Sequence, residues 1–203
     1  MHKTESQEAR ETVTSLHDLS AVDLLAGYRA KQFTPSEVLE DVLAHVAKWE
    51  PHLKALYAFD PDGARAVAKA STERWQKGEP MGTLDGVPVT IKDNIATKDQ
   101  PVPLGAASVK LVPSPKDAPP AARLREAGAI IFSKTTMPDY GMLSSGLSSF
   151  HPLTRNPWDL SKIQAAPAPA QAPLVPRATA RCISAPISAA RCGCRPAGAA
   201  SSR

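Results

Sequence analysis

Residues 82–94 read Gly82-Thr83-Leu84-Asp85-Gly86-Val87-Pro88-Val89-Thr90-Ile91-Lys92-Asp93-Asn94, and they carry one basic side chain to the end of an otherwise apolar run. Val87, Val89 and Ile91 alternate with Pro88, Thr90 and Lys92. That period of two, with its β-branched bias, predicts a strand of about five residues. Asp85-Gly86 supplies turn chemistry before it, and Asp93-Asn94 ends it with residues that tolerate left-handed backbone. Lys92 then has two readings. A lysine at a strand end is ordinarily solvated. A lysine withdrawn from water holds its proton less firmly, and its neutral amine can take a proton from a hydroxyl nucleophile.

Helices are expected on both sides of this strand. Leu19 to Lys31 reads as a helix capped by Ser20, with Val22, Leu25, Ala26 and Arg29 at helical spacing. Thr34-Pro35-Ser36-Glu37 is a capping box with proline at the first helical position, where its missing N–H costs nothing. The helix it opens aligns Val38, Leu39, Val42, Leu43, Val46 and Trp49, and Pro51 should stop it. His45 lies near that face without a sequence partner and reads as a packing residue. Leu56 to Phe59 is a short apolar run. Asp60-Pro61 opens another helix to about Lys77, with Ala64, Val67, Ala68 and Trp75 inward and Gly78 as its stop. Beyond a Pro- and Gly-rich loop, Asp117 to Ala127 reads as a helix ended by Gly128, and Ala129 to Ser133 as a second buried strand. Lys134 to Tyr140 leads into a short helix, and Ser144-Ser145-Gly146 with Ser148-Ser149 forms a polar loop. Helices alternating with apolar strands imply an α/β layer fold.

The 203 residues suffice for one domain with a real core, 42% of them hydrophobic. The formal charge of +4 conceals two unlike parts. Residues 163–203 hold five Arg, no Lys and no acid, which leaves 19 basic and 20 acidic side chains in residues 1–162. The near-neutral front part gives no reason to expect nucleic acid or an anionic membrane as partner. Met1 to Glu11 has no apolar core of a secretory signal, and no run approaches the roughly 18 apolar residues of a membrane span. All three cysteines, Cys182, Cys192 and Cys194, fall in the tail without zinc-ligand spacing. A cytoplasmic protein with no metal and no cofactor is expected.

Leu84 to Asn94 closely resembles the lysine segment of the amidase signature family, whose members hydrolyse carboxylic amides with a Ser, cis-Ser, Lys triad. The resemblance continues in order through Thr135-Thr136-Met137-Pro138-Asp139-Tyr140, Ser144-Ser145-Gly146 and Arg155-Asn156-Pro157-Trp158-Asp159. It implies that Lys92 is the triad lysine and that residues 1–162 form the N-terminal part of an amidase-like α/β fold, a mixed sheet covered by helices. It also places Ser144 and Ser145 near the acyl portion of an amide substrate. From the residues alone, the same loop can simply bond its own backbone.

The family's next words, Asn-Pro-Gly-Gly-Ser-Ser and Gly-Thr-Asp-Ile-Gly-Gly-Ser, hold the cis-Ser, the nucleophile and the oxyanion-hole amides, and both are missing. Residues 163–203 instead hold thirteen Ala, six Pro and no aromatic, a composition that builds no core. Joining the third base of each codon to the first two of the next, with permitted third bases, turns Lys162 to Ala170 into Asn-Pro-Gly-Gly-Ser-Ser-Ala-Gly-Ala. The same shift turns Ser184 to Pro196 into Gly-Thr-Asp-Ile-Gly-Gly-Ser-Val-Arg-Leu-Pro-Ala. Both words return in order, so a frameshift near Ser161-Lys162 is expected, with a disordered out-of-frame tail and an inactive chain. Two further readings stand beside it: a non-catalytic protein that binds nucleic acid or an acidic partner through its basic tail, and a subunit of a tRNA-dependent amidotransferase. Strands lacking the rest of their sheet should expose unpaired edges.

Overall fold

The computed structural model describes residues 15–142 and 146–163. In chain order the elements are α1 (Ala21–Arg29), α2 (Pro35–Leu53), β1 (Leu56–Tyr57), α3 (Pro61–Lys77), β2 (Pro88–Lys92), α4 (Pro119–Glu126), β3 (Ile130–Thr135), β4 (Arg155–Asn156) and β5 (Asp159–Ile163). Short 3₁₀ turns occupy Leu16–Asp18 and Asp139–Gly141. A three-stranded sheet runs β1-β3-β2, with β1 antiparallel and β2 parallel to β3, and β4 and β5 form a separate hairpin. The parallel pair needs a crossover, which the loop after β2 and α4 supply.

The sheet is packed on both faces. Ile130 and Phe132 enter a cluster with Leu24, Tyr28, Val38, Leu39, Val42, Leu43, Val46, Ala64 and Ala68, contributed by α1, α2 and α3. Val87, Val89 and Ala129 join Ala21 in a second cluster, against which Leu25, Leu124 and Ile131 pack. The ladder between β2 and β3 has one irregularity: Val89 pairs with Ile131, but Thr90 pairs with Ser133, so Phe132 is an extra residue in β3. Beyond it the rungs are Ile91 with Lys134 and Lys92 with Thr135. Paired residues in a ladder share a face, so Lys92 and Thr135 lie on one side and Ile91 and Lys134 on the other.

Both capping boxes form: Ser20 accepts from the Asp23 amide, and Thr34 from the Glu37 amide. The predicted phase of α1 is corrected. Its buried positions are Ala21, Leu24, Gly27 and Tyr28, while Val22 is 74% exposed. Gly27 sets this phase, because an added Cβ would stand 2.1 Å from Cζ of Phe33, whose ring occupies that space. Pro51 does not stop α2, which continues to Leu53. Within the last turn a proline forfeits one helical bond, and Lys54 closes the helix in left-handed backbone with its amide on the Glu50 carbonyl at 2.9 Å. In α3, Ala64, Ala68 and Ser71 are buried and Val67 is exposed.

Asp85 does more than turn the chain. Its carboxylate is fully buried and accepts from Arg74 Nε at 2.9 Å and Nη2 at 2.5 Å, from Ser71 Oγ at 2.8 Å and from the Met81 amide at 2.8 Å. Trp75 Nε1 donates to the Asp85 carbonyl at 3.1 Å, and the Tyr28 hydroxyl to the Gly86 carbonyl at 3.0 Å. Burial, reinforced by the Asp85 charge, pushes the Tyr28 pKa up and keeps it a donor. Gly86 has φ +83, and an added Cβ would meet Pro35 and Ser71 inside 3 Å. α1 and α3 thereby fix the entry to β2.

Burial alone would raise the Asp85 pKa, but the bonds from Arg74, Met81 and Ser71 outweigh it and hold the carboxyl below its usual range. A carboxyl depressed in the folded state stabilises above its unfolded pKa, about 3.9, and that contribution fades as pH falls through the folded value. Asp85→Ala should lower unfolding stability at neutral pH by about 3 kcal/mol, because Arg74 and the Met81 amide lose their acceptor. Urea midpoints of wild type and variant should then converge as pH drops below about 4.

Candidate functional site

β2 delivers Lys92 to its C-terminal end, half-buried and in no ion pair among the described residues. Its neighbour in the sheet is Thr135, whose Oγ1 is buried without a hydrogen-bond partner among the described residues. The row continues through Leu56, which pairs with Thr135 from β1. One amine and one unengaged hydroxyl therefore share a face at the open end of the sheet. Ser144 and Ser145, the candidate substrate contacts, lie outside the described residues. Their neighbours behave as a self-bonded loop: Ser148 Oγ donates to the Gly105 carbonyl and accepts from the His151 amide at 2.8 Å, and Ser149 Oγ donates to Asp139 at 3.1 Å.

The strand ends at Lys92, directly before Asp93-Asn94. Neither residue is left-handed; Asp93 instead turns its carboxylate inward, where it is fully buried. Its Oδ2 accepts from the Gly105 amide at 2.8 Å and meets His151 Nε2 at 2.9 Å, while Oδ1 has no partner among the described residues. The His151 ring stands edge-on to Tyr57 and Phe150, with centroids 5.1 and 5.0 Å away. This ties the segment after β2 to the loop at 146–154. Gly105 permits the tie at φ +67, where an added Cβ would meet the Met137 carbonyl at 2.4 Å.

Lys134 is the second lysine of the region. It is 2% exposed, and its amine reaches only the Pro101 carbonyl, at 3.5 Å. Burial lowers its pKa, and the Asp93 charge offsets part of that. Sequence reading missed Asp93, His151 and Lys134 as one group. Lys134 follows directly on the strand predicted over Ala129 to Ser133 and read only as the lead into a short helix, and His151 is 58 residues from Asp93. His45, read as a packing residue, lies with its ring centroid 4.1 Å from His17 and 6.3 Å from Trp49. The β4–β5 hairpin, with Trp158 85% exposed at its turn, was not anticipated.

No helix among the described residues is long and apolar enough to cross a membrane, and they contain no group of three His, Cys, Asp or Glu arranged to hold a metal. A shallow groove lined by Val67, Ala70, Arg74, Met81 and Arg125 lies against α3 and α4 and contains neither Lys92 nor Thr135.

The family described as Amidase matches residues 37–166. A glutamyl-tRNA(Gln) amidotransferase subunit from Chloroflexus aurantiacus is 35% identical over 151 residues, 74% of this chain and 31% of that protein. The corresponding subunit from Anaeromyxobacter sp. (strain K) is 39% identical over 137 residues, 68% of this chain and 28% of that protein. Among solved structures, one described as an amidase superposes with TM-score 0.68 at 30% identity over 75% of this chain and 35% of its own. A bacterial aryl acylamidase of the amidase signature family gives TM-score 0.69 at 27% identity over 77% of this chain and 33% of its own. This chain therefore belongs to the amidase signature family. It spans about a third of the length of the curated relatives it matches.

A buried lysine that titrates low has a definite signature. Below its folded pKa the charged amine is a cost of folding; as pH rises through that value, the folded state releases a proton that the unfolded state keeps up to about 10.4, so stability rises. Lys134→Met removes this gain. The stability of wild type relative to Lys134→Met, read from urea unfolding, should increase as pH is raised from neutral towards the ordinary lysine range.

Proposed function

We propose that this chain is the N-terminal part of an amide hydrolase in which Lys92 is the terminal base, and that as translated it lacks the groups that complete the reaction. The observation that carries this is a lysine at the end of β2, within the family match at 37–166, paired across the sheet with Thr135, whose hydroxyl is unengaged among the described residues. Such a hydroxyl costs about 1–3 kcal/mol when left unmet. An incomplete polar site leaves groups of this kind behind.

The shifted phase of residues 162–203 supplies what is missing. A serine at the Ala166/Pro167 junction would relay a proton to Lys92 Nζ, and a serine at the Ala190/Arg191 junction would attack the amide carbonyl. The proton held on Lys92 would return to the leaving nitrogen, which departs as ammonia or an amine. Water would then cleave the acyl-enzyme through the same relay. Backbone amides of the Gly-Gly-Ser turn would hold the oxyanion, and each such donor is worth about 3 kcal/mol of the barrier. Residues 1–162 are the amidase part in this account and 163–203 an out-of-frame tail. Ser144 and Ser145 would flank the acyl group of a small amide, and no cofactor is required. Membership of an amidotransferase complex is a second reading, supported by the names of the curated relatives.

The chain of residues 1–203 should release ammonia from simple amides no faster than its Lys92→Ala variant. Restoring the alternative phase after Ser161 should yield hydrolysis, and Lys92→Ala in that background should lower kcat by about 10²–10⁴-fold. Equal activity of the two frame-restored proteins would remove Lys92 from the mechanism. DNA across codons 158–200 with no phase spelling both glycine-serine words would remove the frameshift.

A further inference from the structure

We propose that two copies of this chain pair through the outer edges of β2, about a twofold axis at Thr90, to form one six-stranded sheet. β2 is an edge strand among the described residues, although β2 and the residue before it are packed like an interior strand, with Val87, Val89 and Ile91 buried. Its inner backbone groups are fixed by the ladder, since the Ile130 amide donates to the Val87 carbonyl and the Asp93 amide to the Thr135 carbonyl. Odd-numbered residues therefore face β3, and the Pro88 carbonyl and the N–H and carbonyl groups of Thr90 and Lys92 point outward.

That edge has an unusual inventory. Pro88 has a carbonyl and no N–H. Thr90 has both groups. Lys92 has a free N–H, but its carbonyl already accepts from the Ile95 amide at 3.0 Å. In an antiparallel pair centred on Thr90, the two Thr90 residues exchange both bonds, and each Lys92 amide donates to Pro88 of the second copy. The two positions without a bond fall where proline lacks a donor and the Lys92 carbonyl is engaged. All eight outward groups are then satisfied. Centring the pair one residue towards Lys92 makes the Thr90 amide face an occupied carbonyl. One residue the other way, the Thr90 carbonyl faces a proline nitrogen. The edge thus complements itself in one register.

The surroundings agree. Lys92 and Lys92 of the second copy end up about 14 Å apart along the sheet, beyond the screening length of about 8–10 Å. The outermost strands become the two copies of β1, each of two residues, so assembly stops at two rather than continuing into fibres. The proposal is independent of any catalytic role for Lys92.

Sedimentation velocity of the full chain tests it. Wild type should sediment as a dimer. Thr90→Pro, which keeps the inner ladder but deletes the outward N–H, should weaken dimerisation about tenfold or more, since two of the four bonds go. Thr90→Asp and Thr90→Lys should each be monomeric, because like charges meet on the axis, and an equimolar mixture should dimerise again. That rescue separates an edge contact from a folding defect. A monomeric wild type, open-ended polymers, full affinity in Thr90→Pro, or no dimer in the charge-paired mixture would overturn the proposal.

Discussion

The Asp85 carboxylate holds the approach to β2 in place. It is the acceptor on which α3, through Arg74 and Ser71, and the amide of Met81 converge, while Tyr28 from α1 grips the next carbonyl. A buried carboxylate with four donors is a directional object: it tolerates little displacement without leaving a charge unmet. Because Gly86 has no room for a side chain against Pro35 and Ser71, the backbone enters the sheet in one way. Everything beyond it, including the height at which Lys92 emerges, inherits that geometry.

Lys92 sits on one face of this sheet and the Asp93 cluster on the other. Asp93 ties Gly105 and His151 together beneath the strand end, and Lys134 is enclosed nearby with a single distant carbonyl as acceptor. These groups do not touch the candidate site. They tie together the loops around Gly105 and His151 next to it.

Much of this was legible in the residues. Alternation in Val87, Val89 and Ile91 placed β2, and the Ser20 and Thr34 capping boxes placed two helix starts, because these signals are local and the chemistry that reads them is a few residues away. The phase of α1 was not legible, since it is set by Phe33 folding back on Gly27. Nor was the role of Asp93, since a turn-forming aspartate and a buried one look alike until His151 arrives from 58 residues downstream. The hairpin of β4 and β5 escaped notice because its second strand mixes charge with exposed apolar residues and has no clean alternation. Lys92 was singled out as a candidate by its neighbours in sequence, whereas the Thr135 hydroxyl opposite it depends on a register that no local pattern encodes.

That register rests on Phe132. Had β3 continued in step after Ile131, Thr90 would have met Phe132, Ile91 would have met Ser133, and Lys92 would have lain beside Lys134 on the same face. Two ammonium groups on one rung of neighbouring strands, about 5 Å apart, would repel by about 3 kcal/mol at an intermediate effective dielectric. The additional phenylalanine rotates the second cation through the sheet and hands Lys92 a neutral neighbour. One inserted residue thereby acts as an electrostatic insulator, and the amine at the strand end is left to answer only to whatever approaches it from outside.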